Sequence, residues 1–217
     1  MSSINSQTRI SMTSAQLIFW DFDGVIKESV YVKTQAFTEV FRPYGKDVAN
    51  RVRQHHESNG GVSRFEKIPL YLDWAGVDSS TKRVQKVCEK FSAAVVQSVI
   101  VSPWVPGVLD YFREHSSKQY FVVVTATPQE EIKHILTELK ISQHFKEVHG
   151  APVDKSIAIR EVLLRLQCDS CKAIMIGDSA SDLRAAEANA VPFVLRRTPL
   201  NNSLQSNYSG LMLNDFC

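Results

Sequence analysis

The chain has 217 residues, of which 44% are hydrophobic, and 25 basic against 23 acidic side chains give a formal net charge of +2. That length and apolar content allow one full core with a smaller accessory domain, and they exclude a disordered or fibrous protein. Basic residues are scattered among acids, which argues against a nucleic-acid partner, and no apolar run reaches the roughly 18 residues of a membrane span.

Residues 1–14 are Ser-rich, lack the basic-then-apolar layout of a secretory leader, and read as a flexible tail. Residues 17–21 form a buried strand. Over 30–41 the apolar positions Val32, Ala36, Phe37, Val40 and Phe41 recur at helical spacing, and Pro43 and Gly45 end the run. Further helices are predicted over 48–57, 65–74 and 81–99, the last burying Val84, Val87, Cys88, Phe91, Val95 and Val99. Four helices without an intervening strand make an insertion. Helix and strand then alternate: helix 108–115, strand 120–125, helix 129–139, strand 145–149, helix 156–166, strand 172–176, helix 182–189 and strand 193–196. This pattern predicts an α/β fold, a doubly wound and mostly parallel sheet. The expected division is a core of 15–28 and 103–217 and a helical cap of 29–102, joined by linkers near 25–28 and 102–106. Cys168 and Cys171 form a lone CxxC without a second ligand pair; with only four cysteines, a turn in a protein of the reducing cytoplasm fits better than a zinc or redox site.

Strand C-termini in such a sheet converge on one crevice. Three predicted strands end on Asp21-Phe22-Asp23-Gly24, on Thr125, and on Gly177-Asp178-Ser179-Ala180-Ser181-Asp182, and Lys155 lies between the last two. Carboxylates, a hydroxyl and an amine brought together suit metal-dependent phosphoryl transfer. Each piece also has an ordinary explanation. Asp and Gly are common turn residues, and an Asp-x-Asp pair occurs in glycosyltransferases. Thr125 could end a strand, Lys155 could be a solvated charge, and Asp178 and Asp182 could be helix N-terminal acids.

Taken in order, the four segments resemble the haloacid dehalogenase-like hydrolase superfamily, over about residues 17–196. The insertion after the first motif is similar to the C1 cap of the phosphoglycolate phosphatase and β-phosphoglucomutase branch. The resemblance implies a Rossmann-like core and a Mg²⁺ ion held by Asp21, Asp178 and the backbone carbonyl of Asp23, with Asp182 orienting a ligand or water. It implies Asp21 as nucleophile, Asp23 as acid and base, Thr125 with the amides of Ala126 and Thr127 on phosphate oxygens, and Lys155 balancing charge. Trp20, beside the nucleophile, is expected to tighten the cavity wall.

In the cap, Gly60-Gly61-Val62-Ser63-Arg64 resembles the mutases' substrate-reading loop, so Arg64 is expected to bind substrate. Lys33 stands where the mutases carry a histidine and is a second candidate. The six histidines read as surface or helix-face residues. The expected activity is hydrolysis of a small phosphorylated metabolite, a sugar phosphate or phosphoglycolate-like molecule, by a monomer or homodimer. A phosphomutase, and a non-catalytic phosphate-binding module, stand as alternatives.

Overall fold

The computed structural model describes residues 6–217. Six strands, β1 (Leu17–Trp20), β2 (Tyr120–Pro128), β3 (Glu147–Ala151), β4 (Ala173–Gly177), β5 (Phe193–Arg196) and β6 (Leu211–Leu213), form one sheet in the order β3-β2-β1-β4-β5-β6. Every neighbouring pair is parallel. Central β1 and β4 are buried along their whole length, which is why Leu-Ile-Phe-Trp and Ala-Ile-Met-Ile read as continuous apolar runs.

Helices α6 (Val108–His115), α7 (Gln129–Glu138), α8 (Lys155–Leu166) and α9 (Ala180–Glu187) connect the strands. One sheet face buries Leu17, Phe19, Val122 and Met175 against α8 and α9. The other buries Ile18, Trp20, Phe121 and Ile176 together with α6, α7 and the inserted helices. Those helices are α2 (Val30–Phe41), α3 (Lys46–Ser58), α4 (Arg64–Trp74) and α5 (Thr81–Val101), each within two residues of the helices expected over 30–41, 48–57, 65–74 and 81–99. Their period-3.6 apolar positions meet in one interior, where Phe37 and Phe91 lie 3.9 Å apart, centroid to centroid.

The two connecting segments pair with each other. Glu28 N–H donates to the Pro103 carbonyl at 2.9 Å and Val105 N–H to that of Ile26 at 3.1 Å. Lys27, fully buried, donates to the Ile100 carbonyl at 3.0 Å and lies over the Trp104 ring.

Two expectations need correction. Within the supposed flexible tail of 1–14, Ser6–Ser14 is a helix, α1, while residues 1–5 lie outside the described residues. Side chains far along the chain hold α1: Gln119 Nε2 and Tyr111 Oη donate to the Met12 carbonyl, Met12 is fully buried, and Thr8 Oγ1 donates to the Met212 carbonyl. Trp20 does not face the cavity; its ring packs edge-on against Phe112 at 5.0 Å and Phe121 at 5.3 Å on the α6 side of the sheet. Beyond the predicted elements, α10 (Asn202–Asn207) leads into edge strand β6. Among the described residues, no helix is long and apolar enough to cross a membrane.

Candidate active site

β1, β2 and β4 adjoin in the sheet, so their C-terminal ends deliver Asp21, Thr125 and Asp178 to one place. Thr125 lies within the extended end of β2, whose register with β3 shifts between Val124 and Pro128. Gly24 has φ +77°, and a Cβ there would come within 2.1 Å of Asp178 Oδ2. Only a glycine lets the first turn close against that carboxylate.

Lys155, buried at the start of α8, reaches Asp21 Oδ1 at 3.0 Å and Asp182 Oδ1 at 2.6 Å. The second Asp182 oxygen accepts from Ser179 Oγ at 2.6 Å and Ser179 N–H at 3.1 Å, closing a capping box on α9. Burial, Asp182 and Asp23 raise the Asp21 carboxyl from 3.8 to about 7 against the opposing pull of Lys155. Asp178 is raised well above the carboxylate range by burial, Asp21 and Asp182, and among the described residues its carboxylate accepts no hydrogen bond.

One carboxylate oxygen from each of Asp21, Asp178 and Asp182 falls within 4.8 Å of the others. Three buried acids beside one ammonium leave negative charge uncompensated, and a small divalent cation preferring hard oxygens fits that deficit. Because Lys155 and Ser179 occupy both Asp182 oxygens, Asp182 can act on such an ion only through its neighbours. Asp21 and Asp178 remain free to ligate it.

Asp23 has a different setting. Its Oδ1 accepts from Ser29 Oγ at 2.5 Å, and its Oδ2 forms an ion pair with Lys33 and accepts from Thr127 Oγ1 at 3.2 Å. Burial alone would raise this carboxyl, but the Lys33 ammonium and the hydrogen bonds from Lys33, Ser29 and Thr127 hold it below the ordinary value. With the side chain so occupied, only the Asp23 backbone carbonyl is left for a metal.

The cap residues depart from expectation. Arg64 was expected to grip substrate; instead it makes a two-pronged ion pair with Glu131 of α7, Nη1 at 2.8 Å and Nη2 at 2.5 Å, and Nη1 also donates to Ser92 at 2.6 Å. Both charged side chains are buried, so the pair joins cap to core. Lys33 is likewise spent on Asp23 and Thr127, and the Thr127 N–H bonds to Thr125 Oγ1 at 3.3 Å. Neither Lys33 nor Thr127 therefore stands free for a ligand in this closed arrangement. A third cap–core contact runs from Ser181 Oγ to the Gly61 carbonyl at 2.9 Å.

Sequence reasoning missed Ser29, Ser92 and Glu131 as partners, and it read His56 as a surface or helix-face residue without a partner. His56 is buried and hydrogen-bonded to Lys67 at 3.0 Å. A signal for Lys67 existed: it falls on the same face of α4 as Ile68, Tyr71 and Leu72, all buried.

Together these groups enclose a cavity of about 40 Å³ lined by core residues Asp21, Thr125, Ala126 and Lys155 and by cap residues including His56 and Arg64. Such a space holds little more than water. A larger open groove of about 650 Å³, near α1 and β6, has no acidic residue in its lining.

A family model for haloacid dehalogenase-like hydrolases matches residues 18–195. Among curated proteins, the chain is 23% identical over 183 residues to a phosphorylated carbohydrates phosphatase of Thermotoga maritima, covering 81% of this chain and 82% of that protein. It is 25% identical over 189 residues to a phosphoglycolate phosphatase of Pseudomonas savastanoi pv. phaseolicola, covering 82% and 68%. Among solved structures, CbbY from Rhodobacter sphaeroides with xylulose-(1,5)bisphosphate superimposes with TM-score 0.75 at 16% identity, over 93% of this chain and 95% of that one. A predicted phosphoglycolate phosphatase from Haemophilus somnus gives 0.70 at 17% identity, over 94% and 96%.

Proposed function

The chain belongs to the haloacid dehalogenase-like hydrolase family, and from that premise we propose that it is a Mg²⁺-dependent phosphatase of a small phosphorylated metabolite, a sugar phosphate or phosphoglycolate-like molecule. The observation that carries this reading is a buried Asp21 set against Lys155 and Thr125, beside two further acids, inside a cavity the cap can close. The names of the similar curated proteins support the substrate class.

A phosphate monoester repels nucleophiles through its own charged oxygens, so catalysis needs charge neutralisation and in-line positioning. Mg²⁺, held by Asp21, Asp178 and the Asp23 carbonyl, supplies part of that neutralisation when bound. Lys155 supplies more, facing Asp21 and the incoming phosphate alike. The Thr125 hydroxyl and the Ala126 amide hold phosphate oxygens, orienting phosphorus toward an Asp21 oxygen. Asp21 attacks, the ester bond breaks, and an aspartyl-phosphate forms on its carboxylate.

The leaving alkoxide needs a proton. Lys33 and Asp23 hold one between them on the Lys33 ammonium, and Asp23 delivers it as the alkoxide departs. Asp23 then takes a proton from the water that hydrolyses the intermediate and passes it back to the Lys33 amine, which restores both groups to their starting states. Held below its ordinary pKa, it stays ionised in the closed, ligand-free arrangement, the state from which it starts this second half-reaction as a base.

The test is a phosphate-release screen over several dozen phosphorylated metabolites, with Mg²⁺ and with EDTA. Release on a sugar phosphate or phosphoglycolate-like substrate, silenced by EDTA and restored by Mg²⁺, is expected. Isomer formation in place of phosphate release would mean a mutase, and folded protein that is inactive throughout would point to a binding module.

A further inference from the structure

Three of the cavity's cations are already matched by carboxylates: Lys155 by Asp21 and Asp182, Lys33 by Asp23, and Arg64 by Glu131. Lys67 of α4 is different. It is 1% exposed, sits 5.9 Å from the Phe37 ring centroid, and takes part in no ion pair among the described residues. Its close polar partner is the Nδ1 of His56 on α3 at 3.0 Å.

When Lys67 is an ammonium it has donors and no lone pair, so His56 Nδ1 then accepts and the ring proton sits on Nε2. That Nε2 is buried and has no hydrogen-bond partner. His56 lines the same cavity as Asp21, Thr125 and Lys155. A buried N–H without an acceptor and a buried cation without an anion both cost stability, and one group would satisfy both: an anionic oxygen at Nε2, with the Lys67 charge acting through the imidazole. The other charges acting on Lys67 do not supply it. Burial first, then Lys33 and Lys155, bring the amine down to about 7, and Glu66 and Asp23 oppose this only in part, so an anion at Nε2 would also hold Lys67 in its ammonium form at neutral pH.

We propose that His56, backed by Lys67, binds a second acidic group of the substrate, a carboxylate or a further phosphate, at the end away from the ester being cleaved. The proposal rests on the phosphatase reading and narrows its substrate class to phosphate esters carrying two anionic groups. Because the closed cavity is too small for such a molecule, the second group meets His56 as the cap comes down on it.

The experiment compares matched ligands: 2-phosphoglycolate against ethyl phosphate for the carboxylate, and a sugar bisphosphate against its monophosphate for the second phosphate. Binding is measured by calorimetry on the Asp21→Asn protein with Mg²⁺, and KM and kcat on the otherwise wild-type enzyme. The two-anion member of at least one pair is expected to bind about tenfold or more tighter, as for a charge-assisted hydrogen bond, and the tighter pair identifies the group. Lys67→Met and His56→Phe should each abolish that preference, raising KM for the two-anion substrate while kcat and all constants for ethyl phosphate change less than twofold. His56→Gln, which keeps a donor, should retain part of it. Thermal unfolding separates this from a structural role: Lys67→Met removes an unmatched buried charge and should leave the melting temperature unchanged or higher. Turnover without any two-anion preference, or a preference that survives both substitutions, would overturn the proposal alone. A preference in binding without turnover on any substrate would leave it standing and overturn the phosphatase reading.

Discussion

Replacing Asp21 by Asn should stabilise the metal-free protein at neutral and alkaline pH while ending turnover. The wild-type carboxyl is raised from 3.8 to about 7, so between those values the folded protein keeps a proton that the unfolded chain has released. Stability therefore falls as pH rises across that interval and levels off above it. At 1.36 kcal/mol for each tenfold change in proton affinity, the rise of about three pH units is worth about 4 kcal/mol. Asn resembles the protonated acid and does not titrate. Urea unfolding in EDTA should thus find Asp21→Asn about equal to wild type near pH 4 and more stable by up to about 4 kcal/mol at pH 8. Mg²⁺ should narrow the gap at pH 8 by stabilising wild type, by about 2.7 kcal/mol at a hundredfold excess over its dissociation constant. Equal stabilities in EDTA at pH 8 would refute the claim that unbalanced negative charge is stored at Asp21.

Three further outcomes follow from the geometry. Asp23→Asn should lower kcat by about 10² to 10⁴, with a smaller loss on nitrophenyl phosphate, whose leaving group needs no proton; equal losses on both substrates would remove Asp23 from proton transfer. Arg64→Ala leaves Glu131 buried without its partner and should cost about 3–5 kcal/mol in urea unfolding, most of it recovered in Arg64→Ala/Glu131→Gln; a single variant as stable as wild type would show that the pair does not hold cap to core. At Gly61 an added Cβ would lie 2.1 Å from Ser181 Oγ and 2.2 Å from Ser179 Oγ, so Gly61→Ala should hinder closure and lower kcat/KM by about tenfold with little change in melting temperature; unaltered kcat/KM would mean that closure does not use this contact.

What could be read from the sequence was what depends on local period and on strand ends. The long cap helix α5 was legible because its apolar positions, Val87, Cys88, Phe91, Val95 and Val99, repeat at helical spacing and prove buried, whereas Val84, expected to be buried with them, lies in the first turn and is only partly buried. Asp21, Thr125, Lys155 and Asp178 were legible as a group because parallel strands bring their C-terminal ends together regardless of separation along the chain. Helix α1, by contrast, has a polar sequence without period, and distant groups such as Tyr111 and Gln119 hold it. The partners of the cap residues were hidden for the same reason. Arg64 meets a partner 67 positions away in Glu131, and Lys33 one 94 positions away in Thr127, and no local pattern announces either contact. A cationic side chain in a substrate-reading loop looks the same in sequence whether its anion is a ligand or a buried glutamate.

The central claim is that Asp21 carries the phosphoryl group in transit. Rapid mixing of enzyme, Mg²⁺ and a substrate found in the screen, followed by acid quench within the first turnover, proteolysis and mass spectrometry, tests it directly. A phosphoryl adduct is expected on the peptide containing Asp21, formed as fast as the alcohol is released, decaying as phosphate appears, and absent in Asp21→Asn. Turnover with no adduct at Asp21 in the burst, or continued turnover by Asp21→Asn, would contradict it.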